Sequence, residues 1–376
     1  MAKENLIVIL ISVLILSSIF QFGQVFSNKI FLFEAVTALI ILTSLWILRF
    51  PIKIYFIFIA FIPFLLTSLI SSLIENNIIN FFSMSFYFLA IIGCLILGAN
   101  LKWVGLRRII KIYMVFNILL HALGVAFPNA NAIYYPGYTG IFGNPNVNGL
   151  FASFSIFFIL LFLIANKIKF NFFHYIFFLL NFIVLILSVS RISLINLFMG
   201  VALYFLILGF RNFSLKISKR SASFLILAAL LLMVSYSTGA FNGFIEKSSS
   251  LGSDVTSGRF ELWTKALDSL RFSGYGSSYY QEGESATHNN YLNIGVVFGG
   301  GVMVALITAW VFLIFYLLFS YLKYRSNNIL LTFCILLYSL IYWMFEVGSS
   351  FLFVWVLFVM MGYSCFNIKM PRNQIC

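Results

Sequence analysis

The chain has 376 residues, of which 62% are hydrophobic and 9% charged, with a formal net charge of +13 and a mean hydropathy of +1.05. A soluble domain carries about 45–50% apolar and about 25% charged residues, so a water-soluble enzyme is excluded and residues 1–376 are expected to form one integral membrane domain. The positive charge is spread over alternate short loops rather than gathered in one basic patch, which argues against a nucleic-acid partner.

At about 20 apolar residues per crossing, hydropathy predicts an all-α polytopic membrane protein with about twelve transmembrane helices. They are expected at 6–22, 31–48, 54–74, 81–99, 109–127, 148–165, 172–189, 192–209, 222–239, 292–320, 329–345 and 348–366. Tight turns are predicted at Ser188–Arg191 and Glu346–Ser349. The first run follows Lys3, lacks an A-x-A-like cleavage site and is long enough to span, so it reads as a membrane segment rather than a removed signal. Basic residues occupy every second loop: Arg49 and Lys53; Lys102, Arg107, Arg108 and Lys111; Lys167 and Lys169; Arg211, Lys216, Lys219 and Arg220; Lys323 and Arg325; Lys369 and Arg372. The positive-inside rule then puts both termini in the cytoplasm. The long polar stretch 240–290 faces outside, and its four basic residues against six acidic ones give it the opposite sign to the chain. The four cysteines, Cys94, Cys334, Cys365 and Cys376, lie outside any outer loop and match no zinc spacing, so neither a disulfide framework nor a structural metal is expected. No nucleotide fingerprint is present and no cofactor is expected.

Four places break the apolar pattern. In the turn Gly140–Ile–Phe–Gly–Asn–Pro–Asn146, Asn144 can cap the sixth span with Pro145 at its first position. That would leave N–H groups open to an anion or hydroxyl, or would simply make a well-capped turn. Tyr138, just upstream, can stack on a sugar ring or sit in an interfacial aromatic belt. Next, Arg191 interrupts a long apolar run. A charge at membrane depth is costly, so Arg191 either snorkels to headgroups or lines an outward cavity that holds an anion, with phosphate the best geometric match. In the third stretch, Phe260, Trp263, Leu267 and Leu270 recur at helical spacing, with Ser257 as a candidate cap and Gly274 and Gly276 ending the pattern. This predicts an amphipathic helix in the 240–290 loop, on the membrane face or capping the bundle. Arg259 in its first turn opposes the helix dipole, which points to an anion or to an ordinary pairing with Glu261 or Asp254. The fourth break is His288–Asn–Asn–Tyr291, followed by Gly299–Gly300–Gly301. The glycines are the natural break in a run too long for one crossing, so 289–298 is expected to be a short separate segment that holds His288 over the outer cavity. His121 reads as a satisfied core residue and His174 as interfacial.

Taken together, these pieces resemble the bacterial O-antigen polymerase (Wzy-type) and O-antigen ligase superfamily. The pieces are the G-x-F-x-N-P-N turn, Ser190–Arg191 ahead of Ile195, Gly258–Arg259–Phe–Glu–Leu–Trp263, and His288–Asn289 with Tyr291, with ten residues between His288 and Gly299. They cover roughly residues 137 to 301 and stand in family order, with Ile195 where the pattern has leucine.

The resemblance implies an inverting glycosyltransferase of GT-C type in the bacterial inner (plasma) membrane. Its donor and acceptor would be glycans on undecaprenyl pyrophosphate, membrane lipid would surround it, and a chain-length regulator protein is the expected partner. It implies His288, Arg191 and Arg259 as catalytic residues, and Tyr138, Asn144, Asn146, Asn289 and Tyr291 as substrate-binding residues. Polymerisation of repeat units is favoured over ligation to lipid A–core or transfer to protein, because the chain is compact and lacks a large extra soluble domain. A transporter of lipid-linked sugars is the alternative from another class. Asn117, Asn181 and Asn196 inside spans speak for it, and the clustering of the other polar outliers at one face speaks against it.

Overall fold

The computed structural model describes residues 2–20, 54–75, 78–126, 138–142, 144–212, 259–276, 288–344 and 351–366. Every regular element among them is helical: α1 (Ala2–Phe20), α2 (Ile54–Ile74), α3 (Ile78–Ala99), α4 (Trp103–Ala126), a 3-10 turn at Gly140–Phe142, α5 (Pro145–Ala165), α6 (Phe172–Leu187), α7 (Arg191–Asn212), α8 (Arg259–Asp268), α9 (Asn290–Phe298), α10 (Gly300–Tyr324), α11 (Asn327–Trp343) and α12 (Phe351–Phe366). The segments expected at 31–48 and 222–239, the Glu346–Ser349 turn, Ser257 and most of the 240–290 loop lie outside the described residues. Stretches Trp103–Val125, Pro145–Ala165, Arg191–Gly209 and Gly300–Tyr324 are long and apolar enough to cross a membrane.

The outward surface explains the composition. Leu66 on α2, Leu119 on α4, Ile183 on α6, Phe198 on α7 and Phe315 on α10 are all exposed. A soluble monomer rarely shows so continuous an apolar surface, whereas hydrocarbon is its natural solvent. α5 is buried along nearly its whole length, enclosed by α4, α6, α7 and α11. α3 and α12 cross with their backbones in contact. A Cβ on Gly98 would strike the Val359 carbonyl, and one on Gly362 would strike the Leu95 carbonyl. Only small residues let helices approach this closely.

Buried polar side chains tie α4, α5 and α6 together. His121 Nε2 donates to Asn181 Oδ1 (3.1 Å), and Asn181 Nδ2 donates to Asn117 Oδ1 (2.7 Å) and to the Phe177 carbonyl (2.8 Å). Asn117 Nδ2 donates to Ser155 Oγ (3.0 Å), and Ser155 donates to the Phe151 carbonyl (2.7 Å). The one hydroxyl hydrogen of Ser155 is thus used, so Tyr113 is the donor in its 2.6 Å bond to Ser155. With these bonds the network is internally satisfied. His121 is therefore the core residue expected of it. Asn117 and Asn181 join helices, which removes most of the support that mid-membrane asparagines lend to a transport pathway.

Helix direction sorts the charges. Trp103 at the start of α4 stacks on Phe162 near the end of α5, and Asn327 at the start of α11 bonds the Ala165 carbonyl. One end of the bundle therefore collects Lys102, Arg107, Arg108, Lys167, Lys169, Lys323 and Arg325. At that end His174 and Asn171 form a reciprocal cap on α6. The opposite end holds Glu75, the Ser188–Arg191 turn, α8 and the start of α9.

Candidate active site

Two local structures build this second end. The first is the Asn-rich turn against the α6–α7 turn. Asn144 caps α5 by accepting from the Asn146 N–H at 2.8 Å, with Pro145 next, as expected. Of the N–H groups at this helix start, Pro145 has none, the cap takes that of Asn146, and the Asn144 carbonyl takes that of Asn148. What this turn offers a ligand is therefore chiefly side chains. Asn148 Nδ2 donates to the Tyr138 carbonyl (3.2 Å), and the Tyr138 N–H donates to the Leu187 carbonyl at the end of α6 (2.7 Å). Gly149 faces Ser188 and Ser190 so closely that a Cβ there would lie 2.6 Å from Ser190 Cβ. Tyr138, Asn144 and Asn146 are thus brought beside the turn that launches Arg191.

That turn is backbone-strained. Val189 has φ +52°, a genuine outlier for a β-branched residue. It follows Ser188, the last cap of α6, and precedes Ser190, whose hydroxyl lies 2.7 Å from that of Ser193 in the first turn of α7. Ser188, Ser190 and Ser193 are all buried, so Arg191 is half-buried on a rigid support. It stands at the helix start, as the predicted turn requires.

The second structure is α8 with α9. Gly299, at φ +115°, breaks the long run into α9 and α10 where the glycine triplet predicts it. A Cβ at Gly299 would strike the Phe272 carbonyl. Here the segment after α8 runs along the junction, its backbone bonded as Gly300 N–H to Arg271 carbonyl (2.7 Å), Tyr275 N–H to Val296 carbonyl (2.8 Å) and Gly276 N–H to Val297 carbonyl (2.8 Å). Ser273 also donates to Glu75 at the end of α2 (2.5 Å). α8 ends at Asp268, before the glycines expected to close it, and Trp263 and Ala266 on its inward face, with Leu270 just beyond it, pack on Leu292 and Val296. Phe260 and Leu267, expected on the same face, are exposed. The helix caps the bundle through one edge of its apolar stripe. Arg259 lies seven residues before Ala266, on that inward face.

His288 is the residue before the α9 cap and has φ +49°, a conformation uncommon outside glycine and found where surrounding structure imposes it. Asn289 accepts from the Tyr291 and Leu292 N–H groups at 3.0 and 3.1 Å, so its Oδ1 is committed to the cap. Tyr291 meets Trp343 edge-on at 5.8 Å and reaches the Leu340 carbonyl at 3.4 Å. Two residues earlier on α11, the Tyr338 carbonyl accepts from Asn196 of α7 at 3.1 Å. The end of α11 therefore joins the Arg191 helix to the His288 helix.

Sequence reasoning missed two groups at this end. Asn293 Oδ1 and Trp343 Nε1 are buried with no hydrogen-bond partner among the described residues, as is the Tyr138 hydroxyl. Burial raises the Tyr138 phenol above its ordinary pKa, so it remains a neutral donor. Orphaned buried polar atoms cost free energy, so a polar partner at these positions would be stabilising. Asn293 follows Asn289 by one helical turn, a spacing that could have flagged it.

Residues 176–307 match the family model described as O-Antigen ligase, which supports placement in the O-antigen polymerase and ligase superfamily. The match runs from α6 into α10 and holds Arg191, Arg259, His288, Asn289 and Tyr291; Tyr138, Asn144 and Asn146 precede it. No curated protein matches the chain.

Proposed function

We propose that this chain, whose residues 176–307 match the O-antigen ligase family model, is an inverting glycosyltransferase of GT-C type. It polymerises oligosaccharide repeat units carried on undecaprenyl pyrophosphate. What supports this reading is the family match over residues 176–307, together with the location of the Arg191 turn, the Arg259 helix and the His288 cap at the same, cation-poor end of the bundle.

An acceptor sugar hydroxyl attacks the anomeric carbon of the donor from the side opposite the pyrophosphate. The anomeric C–O bond breaks, its electron pair leaves on the pyrophosphate, and the hydroxyl proton passes to His288. A general base in this role is worth about 10²–10⁴-fold. Arg191 and Arg259 hold the leaving pyrophosphate, where fixed cations act most strongly on developing charge. Tyr138, Asn144, Asn146, Asn289 and Tyr291 line the path of the sugars, and Asn293 joins them. The site opens to the outer face of a bacterial plasma membrane with both termini cytoplasmic, a reading supported by the basic residues at the opposite end.

The description of the matched family favours a second reading, ligation of the finished glycan to lipid A–core. Expression in a strain lacking its own polymerase separates the two. A ladder of surface glycan lengths is expected for the polymerase. No ladder there, with restoration of long chains on lipid A–core in a ligase-deficient strain, would establish the ligase instead.

A further inference from the structure

Away from the transfer centre, a groove of about 590 Å³ runs between α2 and α10. Its mouth is Arg271 and Phe272, bonded over the start of α10, and its floor descends past Gly301 and Val304 to Thr308, facing Pro63 and Thr67. From Gly300 to Thr308 is about 12 Å of helix. Both threonine hydroxyls are turned onto their own helices, Thr67 to the Pro63 carbonyl and Thr308 to the Val304 carbonyl, each at 2.8 Å. The groove is therefore apolar along its length, and exposed Val304 and Leu66 place it on the lipid-facing side. Its mouth is cationic. Arg271 is exposed, its guanidinium lies 4.1 Å over the Tyr275 ring, and no carboxylate pairs with it among the described residues.

One apolar groove with one cation at its mouth fits an amphiphile with a single long tail and an anionic head. The location narrows the occupant further. The Arg271 carbonyl accepts from Gly300 N–H, just past the end of α9 farthest from His288, and the nine residues of α9 span about 13 Å. In a polymerase the donor's pyrophosphate is at the transfer centre. The acceptor reacts through a sugar remote from its own lipid, so its pyrophosphate must lie an oligosaccharide's length away.

We propose that the α2–α10 groove, with Arg271 at its mouth, holds the polyprenyl pyrophosphate of the acceptor unit. This rests on the polymerase reading, since a ligase would need only one polyprenyl site.

The test titrates undecaprenyl phosphate into the purified full-length protein and counts bound equivalents by native mass spectrometry. Two equivalents are expected for the unmodified protein. Arg271→Glu at the head and Thr308→Trp at the tail should each weaken one of them at least tenfold, and Arg191→Ala should weaken the other. With lipid-linked repeat units, the two groove variants should raise KM for elongation at least tenfold. Two equivalents of unchanged affinity in both groove variants would overturn the site. Full displacement of the second equivalent by equimolar phosphatidylglycerol would also overturn it, by making the groove an ordinary phospholipid site. Unchanged elongation by both variants refutes this site alone, whereas no elongation by the unmodified protein refutes the polymerase reading itself.

Discussion

Gly149 offers a test of positioning at a residue with no functional group. A Cβ at this position would lie 2.6 Å from Ser190 Cβ and also against Ser188 Oγ, where ordinary contact is 3.4–4 Å. In Gly149→Ala the Ser188–Arg191 turn must therefore move by about 1 Å, because a close-packed neighbourhood has no void to absorb a methyl group. The shift also pulls on the 2.7 Å bond from Ser188 to the Leu185 carbonyl. A misplacement of about 1 Å can cost about 10²-fold in rate, or about 2.7 kcal/mol in the barrier. Overpacking alone costs about 1–3 kcal/mol of stability. Gly200→Ala is the control, since its Cβ would meet Phe157 at 2.7 Å, deeper on α7 and away from the turn. Both variants should lose similar thermal stability, with only Gly149→Ala losing about 10²-fold in turnover of purified protein. Because the loss acts through Arg191, Gly149→Ala combined with Arg191→Ala should be no slower than Arg191→Ala alone. Additive losses, or near-normal turnover in Gly149→Ala, would refute the reasoning.

Further expectations concern the catalytic groups and the frame. His288→Ala and His288→Gln should each lower turnover about 10²-fold or more with donor binding retained; an active glutamine variant would reduce His288 to a hydrogen-bonding role. Arg191→Ala and Arg259→Ala should each remove most activity, with lysine a poor substitute for the bidentate phosphate contact, as measured by elongation of lipid-linked units; full activity in Arg191→Ala would leave that residue a snorkelling anchor. Asn181→Leu should orphan His121 and Asn117 and cost about 1–3 kcal/mol, seen as a lower Tm, while Arg191→Ala leaves Tm nearly unchanged. A cysteine placed at Ser249 should react with an impermeant thiol reagent from outside intact cells; reaction only after the membrane is opened would reverse the proposed orientation.

Much of the fold is legible in the chain because its signals are local. Apolar run length sets the helices, Asn144–Pro145 sets the start of α5, and Gly299 breaks α9 from α10, each through backbone chemistry that needs no distant partner. The clustering of basic residues in alternate loops likewise contains the segregation of charge between the bundle ends. The face of α8 is different. Phe260, Trp263, Leu267 and Leu270 form one apolar stripe in the sequence, but α9 covers only one edge of it, and only packing selects which. The tertiary structure also decides that the Asn144 cap takes the Asn146 N–H, that Asn117 and Asn181 are spent on joining helices, and that Gly149 bears on the Arg191 turn. The orphaned atoms of Asn293 and Trp343, and a groove shared by α2 and α10, depend on neighbours more than 200 residues apart for the latter, and no local pattern records such contacts.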